Sequence, residues 1–316
     1  MTVPLVRSIL WAFAALVTCC ATSASGAFTY TTIDHPLAGV GGTVPNDIEG
    51  SQIVGSYLDA SGVAHGFLFD GATWSTLDHP AAAAPGGTAA YGISGGIVCG
   101  SYVDASGQSL GFLYDGVNWT TLERPPLGIG PVDTFARGIS DGTVVGYSIE
   151  NLVARGFIYR DGVFTDLVIP GAVGTFPQDV DAGRIAGTYD DLIETHGFRY
   201  DGAVVTTLDH PLGLPLGTFV TGIDGPNVVG SYLSLQDGMG HGFLYDGTQY
   251  IPIDVPGATD TSANGINGTR VVGTYVDADG RRHGFVAVVP EPAVAGTALT
   301  WIALMKRPCR RRERWD

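Results

Sequence analysis

The chain is poor in basic side chains. It has 316 residues but a single lysine, Lys306, and only 15% of its residues are charged. Between Phe28 and Val289, 28 Asp and Glu residues stand against nine arginines, a net charge of −19. A body this acidic would repel phosphate backbones and anionic headgroups. Nucleic acid is therefore excluded as a partner.

The composition also lacks the features of helical bundles and of disordered chains. Gly (47) and Pro (18) make up one residue in five, which is too many turn-formers for a bundle. Hydrophobic residues account for 45% of the chain, far more than a disordered polyelectrolyte contains. This composition indicates a turn-rich, all-β protein.

The first 27 residues have the layout of a secretory signal peptide. Arg7 precedes an apolar run from Ile9 to Val17, and small residues follow as far as Ala27. This order predicts residues 1–27 as the signal peptide, with cleavage after Ala24 or Ala27. Cys19 and Cys20 leave a lipoprotein signal as the alternative.

Residues 290–316 form a second targeting pattern. Pro290, Glu291 and Pro292 precede an apolar stretch, 293–305, and a basic cluster follows that includes Arg310, Arg311 and Arg312. By the positive-inside rule the arginines would act as a membrane stop on the cytoplasmic side. The 13 apolar residues span about 20 Å as a helix, less than the ~30 Å hydrocarbon core, so a frayed amphipathic tail is the alternative.

This tail resembles the PEP-CTERM sorting signal of Gram-negative, exopolysaccharide-producing bacteria. The resemblance implies a transient partner, an exosortase-type sorting enzyme that recognises the Pro290–Pro292 motif. It also implies a precursor anchored in the inner membrane and a mature protein in the cell envelope or outside the cell.

The central region repeats one module six times. The repeat is marked by a Gly-Phe pair at a spacing of 41 to 45 residues. The pairs are Gly66-Phe67, Gly111-Phe112, Gly156-Phe157, Gly197-Phe198, Gly242-Phe243 and Gly284-Phe285. Each module contains Thr-x-x-x-Gly-Ile or a variant, a β-branched run, the Gly-Phe segment and a Thr-Leu-Asp segment. These short runs predict three or four antiparallel strands per module.

Asp-Gly pairs separate the Gly-Phe strand from the Thr-Leu-Asp strand. They predict two-residue hairpin turns, because glycine accepts a positive φ and aspartate tolerates it. The pairs begin at Asp70, Asp115, Asp161, Asp201 and Asp246.

The modules resemble the HAF family of extracellular repeats, named for a His-x-Phe core. That core occurs here at His65, His196, His241 and His283. The resemblance covers nearly all of residues 28–289. It implies an exported protein and brings no assigned activity.

The ends of the repeat array predict how it closes. The sixth module stops after Val289 without its Thr-Leu-Asp strand, and the segment 28–36 (FTYTTIDHP) supplies such a strand before the first module. Pairing of the first and last strands removes exposed sheet edges. We therefore expect an all-β, six-bladed β-propeller over residues 28–289, closed by the N-terminal strand. A β-solenoid or other β-repeat stack is the alternative.

No catalytic, cofactor-binding or metal-binding residue is predicted. All seven histidines occupy repeated positions, which favours a structural role, and a serine-type triad has no candidate. Cys99 stands where other modules have Val or Ala and is interpreted as a small buried hydrophobe. Asp-rich turns such as 59–62 are interpreted as hairpin turns, with Ca²⁺ loops as a minority hypothesis.

A few residues depart from the repeat or tempt a chemical interpretation. Asp190, Asp191, Glu194 and Glu150 are expected to be solvated loop charges, with a specificity site as the less favoured reading. Trp74 and Trp119 could stack on sugars but are expected to pack the core.

These patterns predict a non-catalytic binding or structural module of the envelope or extracellular matrix, associated with exopolysaccharide. The alternative is a secreted polysaccharide-active enzyme with its site in the propeller mouth. An enzyme would need convergent, non-repeated titratable groups, and the sequence shows no obvious set.

Overall fold

The chain forms six antiparallel sheets of four strands each. The computed structural model describes residues 28–84 and 86–289, and within them every regular element is a β-strand. The innermost strand of each sheet contacts that of the next, and the innermost strands of the last and first sheets also touch. The sheets are therefore the blades of a closed ring around a central channel.

The strands of each blade follow one another outward from the channel. Blades 1 to 3 are formed by β2 (Thr43–Glu49), β3 (Gln52–Leu58), β4 (Ala64–Phe69), β5 (Trp74–Leu77); β6 (Thr88–Ser94), β7 (Ile97–Val103), β8 (Ser109–Tyr114), β9 (Trp119–Leu122); and β10 (Asp133–Ser140), β11 (Thr143–Glu150), β12 (Val153–Arg160), β13 (Val163–Leu167). Blades 4 to 6 are formed by β14 (Gly174–Asp181), β15 (Arg184–Asp190), β16 (Thr195–Tyr200), β17 (Val205–Leu208); β18 (Gly213–Asp224), β19 (Asn227–Ser234), β20 (Gly240–Tyr245), β21 (Tyr250–Ile253); and β22 (Asp260–Asn267), β23 (Arg270–Val276), β24 (Arg282–Val288) with β1 (Thr29–Ile33).

The N-terminal strand completes the last blade. β1 pairs antiparallel with β24, with Tyr30 opposite Ala287 and Thr32 opposite Phe285. The rings of Tyr30 and Phe285 pack edge to face with their centroids 5.8 Å apart. The predicted six-bladed propeller, closed by its N-terminal strand, is confirmed, and the β-solenoid alternative is wrong.

The repeated Gly-Phe pair forms the core between blades. All six phenylalanines are fully buried. Each lies opposite the glycine of the β-branched run on the preceding strand, as Phe67 lies opposite Gly55. A Cβ on Gly55 would stand 2.1 Å from the carbonyl oxygen of Val44 and 2.7 Å from the Phe67 ring. Two parts of the sequence repeat thus specify one packing contact.

The ring has two distinct faces. The upper face carries the turns between second and third strands and the loops that join one blade to the next. The lower face carries the remaining turns. Because Thr29 pairs with Val288, the chain enters and leaves the propeller on the lower face.

The Asp-Gly pairs connect the expected strands, but the predicted two-residue turn is correct only at Asp161. There Asp161 and Gly162 both have positive φ, 51° and 84°. In the other four blades the strands are joined by four-residue loops that begin with the aspartate, as in 70–73. The Asp70 carboxylate accepts the N–H groups of Ala72 and Thr73. The two central residues of the turn are therefore Gly71 and Ala72, one residue after the predicted pair Asp70 and Gly71.

Candidate functional site

Six unlike polar side chains line the upper part of the channel. Every innermost strand has a β-bulge, and the bulged residue faces the channel axis rather than the sheet partner. From blade 1 to blade 6 these residues are Asn46, Tyr91, Arg137, Gln178, Thr221 and Asn264. We call them the bulge ring.

The bulge ring was not predicted from the sequence. Its members occupy the variable position directly before the glycine in Thr-x-x-x-Gly-Ile, or before the aspartate that replaces this glycine in blades 1 and 4. A position that is polar in all six modules yet differs between them was the available signal. Only the bulge, a feature of strand pairing, directs these side chains into the channel.

Members of the bulge ring connect neighbouring blades. The Asn46 side-chain amide donates to the carbonyl of Ala90 in blade 2 (2.7 Å), and Asn264 donates to Pro45 of blade 1 (2.8 Å). The Thr221 hydroxyl donates to the carbonyl of Ala263 in blade 6 (2.7 Å). Since these bonds cross the gap between blades, they restrain the ring at its centre.

Arg137 is held by two neighbours. Its guanidinium lies over the Tyr91 ring, 3.9 Å from the centroid, and its Nε donates to Oε1 of Gln178 at 2.8 Å. A stacked plane and a fixed Nε leave the guanidinium little rotational freedom.

The two channel mouths differ in charge. The upper mouth is a cavity of about 190 Å³ whose lining includes Arg137 and Arg282 and no carboxylate. The lining of the lower mouth contains five carboxylates and no basic side chain: Asp47, Glu49, Asp179, Asp181 and Asp224.

Asp47 and Asp179 are buried in the lining of the lower mouth, on opposite blades. Each accepts two backbone N–H groups, one from the next residue and one from the following blade: Asp47 from Ile48 and Ile93, Asp179 from Val180 and Ile223. Burial raises the pKa of Asp47 to about 7. Burial, with the charge of Asp47 added, raises the pKa of Asp179 well above its ordinary value. All four carboxylate oxygens accept a backbone N–H, and one oxygen of each aspartate joins its blade to the next.

Four blades carry a histidine between two aspartates on the upper face. The Nδ1 atoms lie 2.8 to 3.1 Å from the aspartate after the outermost strand, and the Nε2 atoms 3.1 to 3.6 Å from the turn aspartate. We call these the rim clusters: His65 with Asp59 and Asp78, His196 with Asp191 and Asp209, His241 with Asp237 and Asp254, and His283 with Asp277 and Asp34.

In three of the rim clusters, those of His196, His241 and His283, the paired aspartates favour the protonated histidine. Burial alone would lower the pKa of His283, but hydrogen bonds and charges from Asp34 and Asp277 outweigh it and raise that pKa. The pKa values of His196 and His241 are raised through the same opposition of burial and paired aspartates. We call the aspartates that follow the outermost strands the outer aspartates: Asp34, Asp78, Asp209 and Asp254. Their side chains are 43 to 50% exposed, so they remain accessible to a ligand.

The other three histidines pack inside the upper face. His35, His79 and His210 stack on Tyr57, Tyr102 and Tyr232 with ring centroids 3.6 to 3.8 Å apart. Burial lowers their pKa values, that of His210 to about 4. Their Nδ1 atoms accept backbone N–H groups two residues on, which fits a neutral ring. This packing accounts for their recurrence.

Blade 3 has polar contacts of its own on the upper face. Arg124 occupies the position that corresponds to the packed histidine His35, and it forms an ion pair with Asp166. Glu150 is buried, and its carboxylate accepts the N–H groups of Leu127 (3.2 Å) and Gly128 (2.7 Å). The expectation that Glu150 is a solvated loop charge is wrong, because it organises the loop entering its blade.

The acidic segment of blade 4 also differs from expectation. Asp191 is the turn aspartate of a rim cluster, so placing it outside the repeat consensus is wrong. Its Oδ1 accepts the N–H groups of Ile193 and Glu194, and Asp190 accepts the hydroxyl of Thr195. In the related turn at 59–62, Asp59 accepts the N–H groups of Ser61 and Val63, which confirms the hairpin-turn interpretation.

The remaining predictions concern Cys99, the tryptophans and the chain ends. Cys99 is fully buried, and Trp74 packs on Phe67 and Phe69, both as predicted. The sorting motif 290–292 and the membrane stop 310–312 lie outside the described residues, as does the signal peptide. Among the residues that are described, no helix is long and apolar enough to cross a membrane.

The sheet topology defines the chain as a six-bladed β-propeller of the all-β class. No protein-family model matches it, and no curated protein matches its sequence. Solved structures with a similar fold include AofleA from Arthrobotrys oligospora, which is 14% identical with 84% of each chain covered and a TM-score of 0.49. TolB from Acinetobacter baumannii is 11% identical over 78% of this chain and 62% of its own, with a TM-score of 0.48. The six-bladed, fucose-recognising lectin of Aleuria aurantia is 14% identical over 85% and 97%, with a TM-score of 0.47.

Proposed function

We propose that this chain is an exported, HAF-type propeller that binds or scaffolds extracellular polysaccharide without catalysing a reaction. An exosortase-type enzyme would process its PEP-CTERM-like tail and place it in the envelope or extracellular matrix. The recurrence of the rim clusters on one face supports this proposal best. A group that recurs four times around a ring suits repeated contacts with a repeating polymer.

The chemistry of a rim cluster suits sugar hydroxyls. The lining of the shallow cleft at blade 1 includes Tyr57, Asp59, His65, Thr76 and Asp78, together with the apolar Leu37 and Ala60. Half-exposed carboxylates accept hydrogen bonds from vicinal hydroxyls, and the histidine holds them in place. Each contact of this kind is weak, but several engaged by one chain add through effective concentration.

The placement of the termini supports the same proposal. The propeller is entered and left on the lower face. Until the tail is processed, a membrane anchor following Val289 would hold that face toward the membrane, so the rim clusters of the precursor would point away from it.

A glycan array probed with the propeller tests the binding proposal. Residues 28–289 form one closed unit that contains every strand of the six blades. We expect binding to neutral polysaccharide fragments that is lost when the outer aspartates of the four rim clusters are changed to asparagine: Asp34, Asp78, Asp209 and Asp254.

A matched control changes the same number of charges away from the rim clusters. The aspartates of the lower-face turns, Asp70, Asp115, Asp201 and Asp246, serve for this purpose. Equal loss of binding in both variants, or no glycan bound by the unchanged propeller, would contradict the proposal.

The alternative is a polysaccharide-active enzyme with its site in the channel mouth. The unlike side chains of the bulge ring are the observation that favours it, because a catalytic site needs non-repeated groups. Release of new reducing ends from a bound polysaccharide, lost in an Arg137→Asn variant, would establish the alternative over the binding module.

Processing of the tail is tested on protein recovered from the native host. We expect mass spectrometry to find a mature C-terminus upstream of Trp315 and Asp316. Mature protein that retains both residues would refute exosortase-type sorting.

A further inference from the structure

We propose that the upper mouth of the channel binds a sugar carboxylate, namely a uronic acid carried singly or at the end of a glycan. This inference deepens the proposed polysaccharide binding by assigning the central cavity a ligand distinct from those of the rim clusters.

The local charge is opposite to that of the whole propeller. Residues 28–289 contain 28 carboxylates and nine arginines. Yet two of those arginines, Arg137 and Arg282, line the upper mouth together with seven uncharged residues and no carboxylate. An anion in this cavity meets two cations and no carboxylate of the lining. The acids that follow Asn46 and Gln178 in the chain, Asp47 and Asp179, line the lower mouth instead.

The guanidinium of Arg137 is prepared for a planar anion. Stacking on Tyr91 sets its plane, and the bond from Nε to Gln178 sets its rotation. The two terminal amino groups have no hydrogen-bond partner among residues 28–84 and 86–289. Two parallel N–H donors with a fixed orientation match the two oxygens of a carboxylate.

The remaining lining indicates a sugar. Asn46, Gln178, Thr221 and Asn264 surround Arg137 with amides and a hydroxyl. A volume of about 190 Å³ is below the roughly 300–1,000 Å³ of pockets for drug-sized ligands, so the cavity suits a single sugar unit. The net charge of −19 opposes a densely charged polyanion, which favours an isolated or terminal uronate.

Titration calorimetry on the purified full-length protein tests the assignment with four probes. They are methyl α-galactopyranosiduronate, its methyl ester, methyl α-galactopyranoside and acetate. We expect the uronate to bind at least roughly tenfold more tightly than the other three, because only it combines the carboxylate with a sugar ring. Equal affinity for the ester overturns the role of the carboxylate, and equal affinity for acetate overturns the role of the sugar.

Variants locate the site. Arg137→Asn introduces the residue found at the same position in blades 1 and 6, and it should weaken uronate binding roughly tenfold or more. Arg137→Lys keeps the positive charge but lacks the paired N–H donors. Its affinity for the uronate should lie between those of the unchanged protein and of Arg137→Asn. Arg184→Gln removes an exposed arginine outside the cavity and should bind as the unchanged protein does.

Uronate binding that is unchanged in Arg137→Asn, or absent from the unchanged protein, overturns the inference. The comparison of the four probes needs no variant, so it remains decisive if Arg137→Asn fails to fold. Neutral glycans bound at the rim clusters with no uronate bound would refute this inference alone. Uronate binding by the unchanged protein, with no glycan bound at its rim clusters, would refute only the proposed function.

Discussion

Replacing Phe285 by alanine should destabilise the propeller as much as replacing Phe112. Phe112 belongs to an internal blade, whereas Phe285 lies in the last blade and is covered by the N-terminal strand through Thr32 and Tyr30. Both phenylalanines are 0% exposed. The two substitutions are expected to lower the free energy of unfolding equally only if β1 closes the ring, because without β1 one side of Phe285 would face solvent.

The expected magnitude follows from full burial of the ring. Truncating a buried phenylalanine to alanine costs about 3–5 kcal/mol, from lost transfer free energy and the cavity left behind. For a domain of this size each kcal/mol lowers Tm by roughly 2–4 °C, so both variants should melt about 6–20 °C below the unchanged propeller. Val204→Ala, at a position 59% exposed, is the control and should change stability by less than about 0.5 kcal/mol.

Urea denaturation followed by circular dichroism measures the three variants on the propeller 28–289. A cost for Phe285→Ala below about 1 kcal/mol, with the full cost retained at Phe112, would refute closure by the N-terminal strand.

Three further predictions concern the core and the channel. Gly55→Ala should cost about 2 kcal/mol or more in urea denaturation, since the added Cβ would lie 2.1 Å from the Val44 carbonyl oxygen, whereas Ser56→Ala should cost much less. The pKa of Asp47 is raised to about 7 from an ordinary value near 3.9, so the folded propeller binds this proton more tightly than the unfolded chain does. The stabilisation that results is complete below pH 4 and is lost as pH rises toward 7. An Asp47→Asn variant should therefore lose less stability than the unchanged propeller across that range, and parallel pH profiles would contradict this. Burial raises the pKa of the Cys99 thiol, so Ellman's reagent should label it only after unfolding, and rapid labelling of the folded propeller would refute its burial.

Prediction from sequence succeeded where a local signal recurs. Six Gly-Phe pairs and a missing final strand were enough to predict the blade number and the closing strand. The turn at Asp70 was placed between the correct strands but with the wrong central pair, because an aspartate carboxylate that accepts the following N–H groups shifts the turn. Glu150 was misjudged because its burial depends on a loop more than 20 residues earlier in the chain.

The candidate sites were likewise predictable only in part. Histidines and aspartates in repeated positions were visible in the sequence, but the pairing of His283 with Asp34 joins residues about 250 positions apart and exists only in the closed ring. The bulge ring was not anticipated, since a β-bulge in each innermost strand turns one side chain toward the axis.

The amino-acid sequence by itself determined the repeat, the strand content and the order that lets the N-terminus finish the last blade, because these depend on local propensity and on self-similarity. Only the tertiary structure decided which side chains meet at the centre and how charge is distributed there. Ring closure brings one residue from each of six distant segments into a single channel, and no local pattern encodes that convergence.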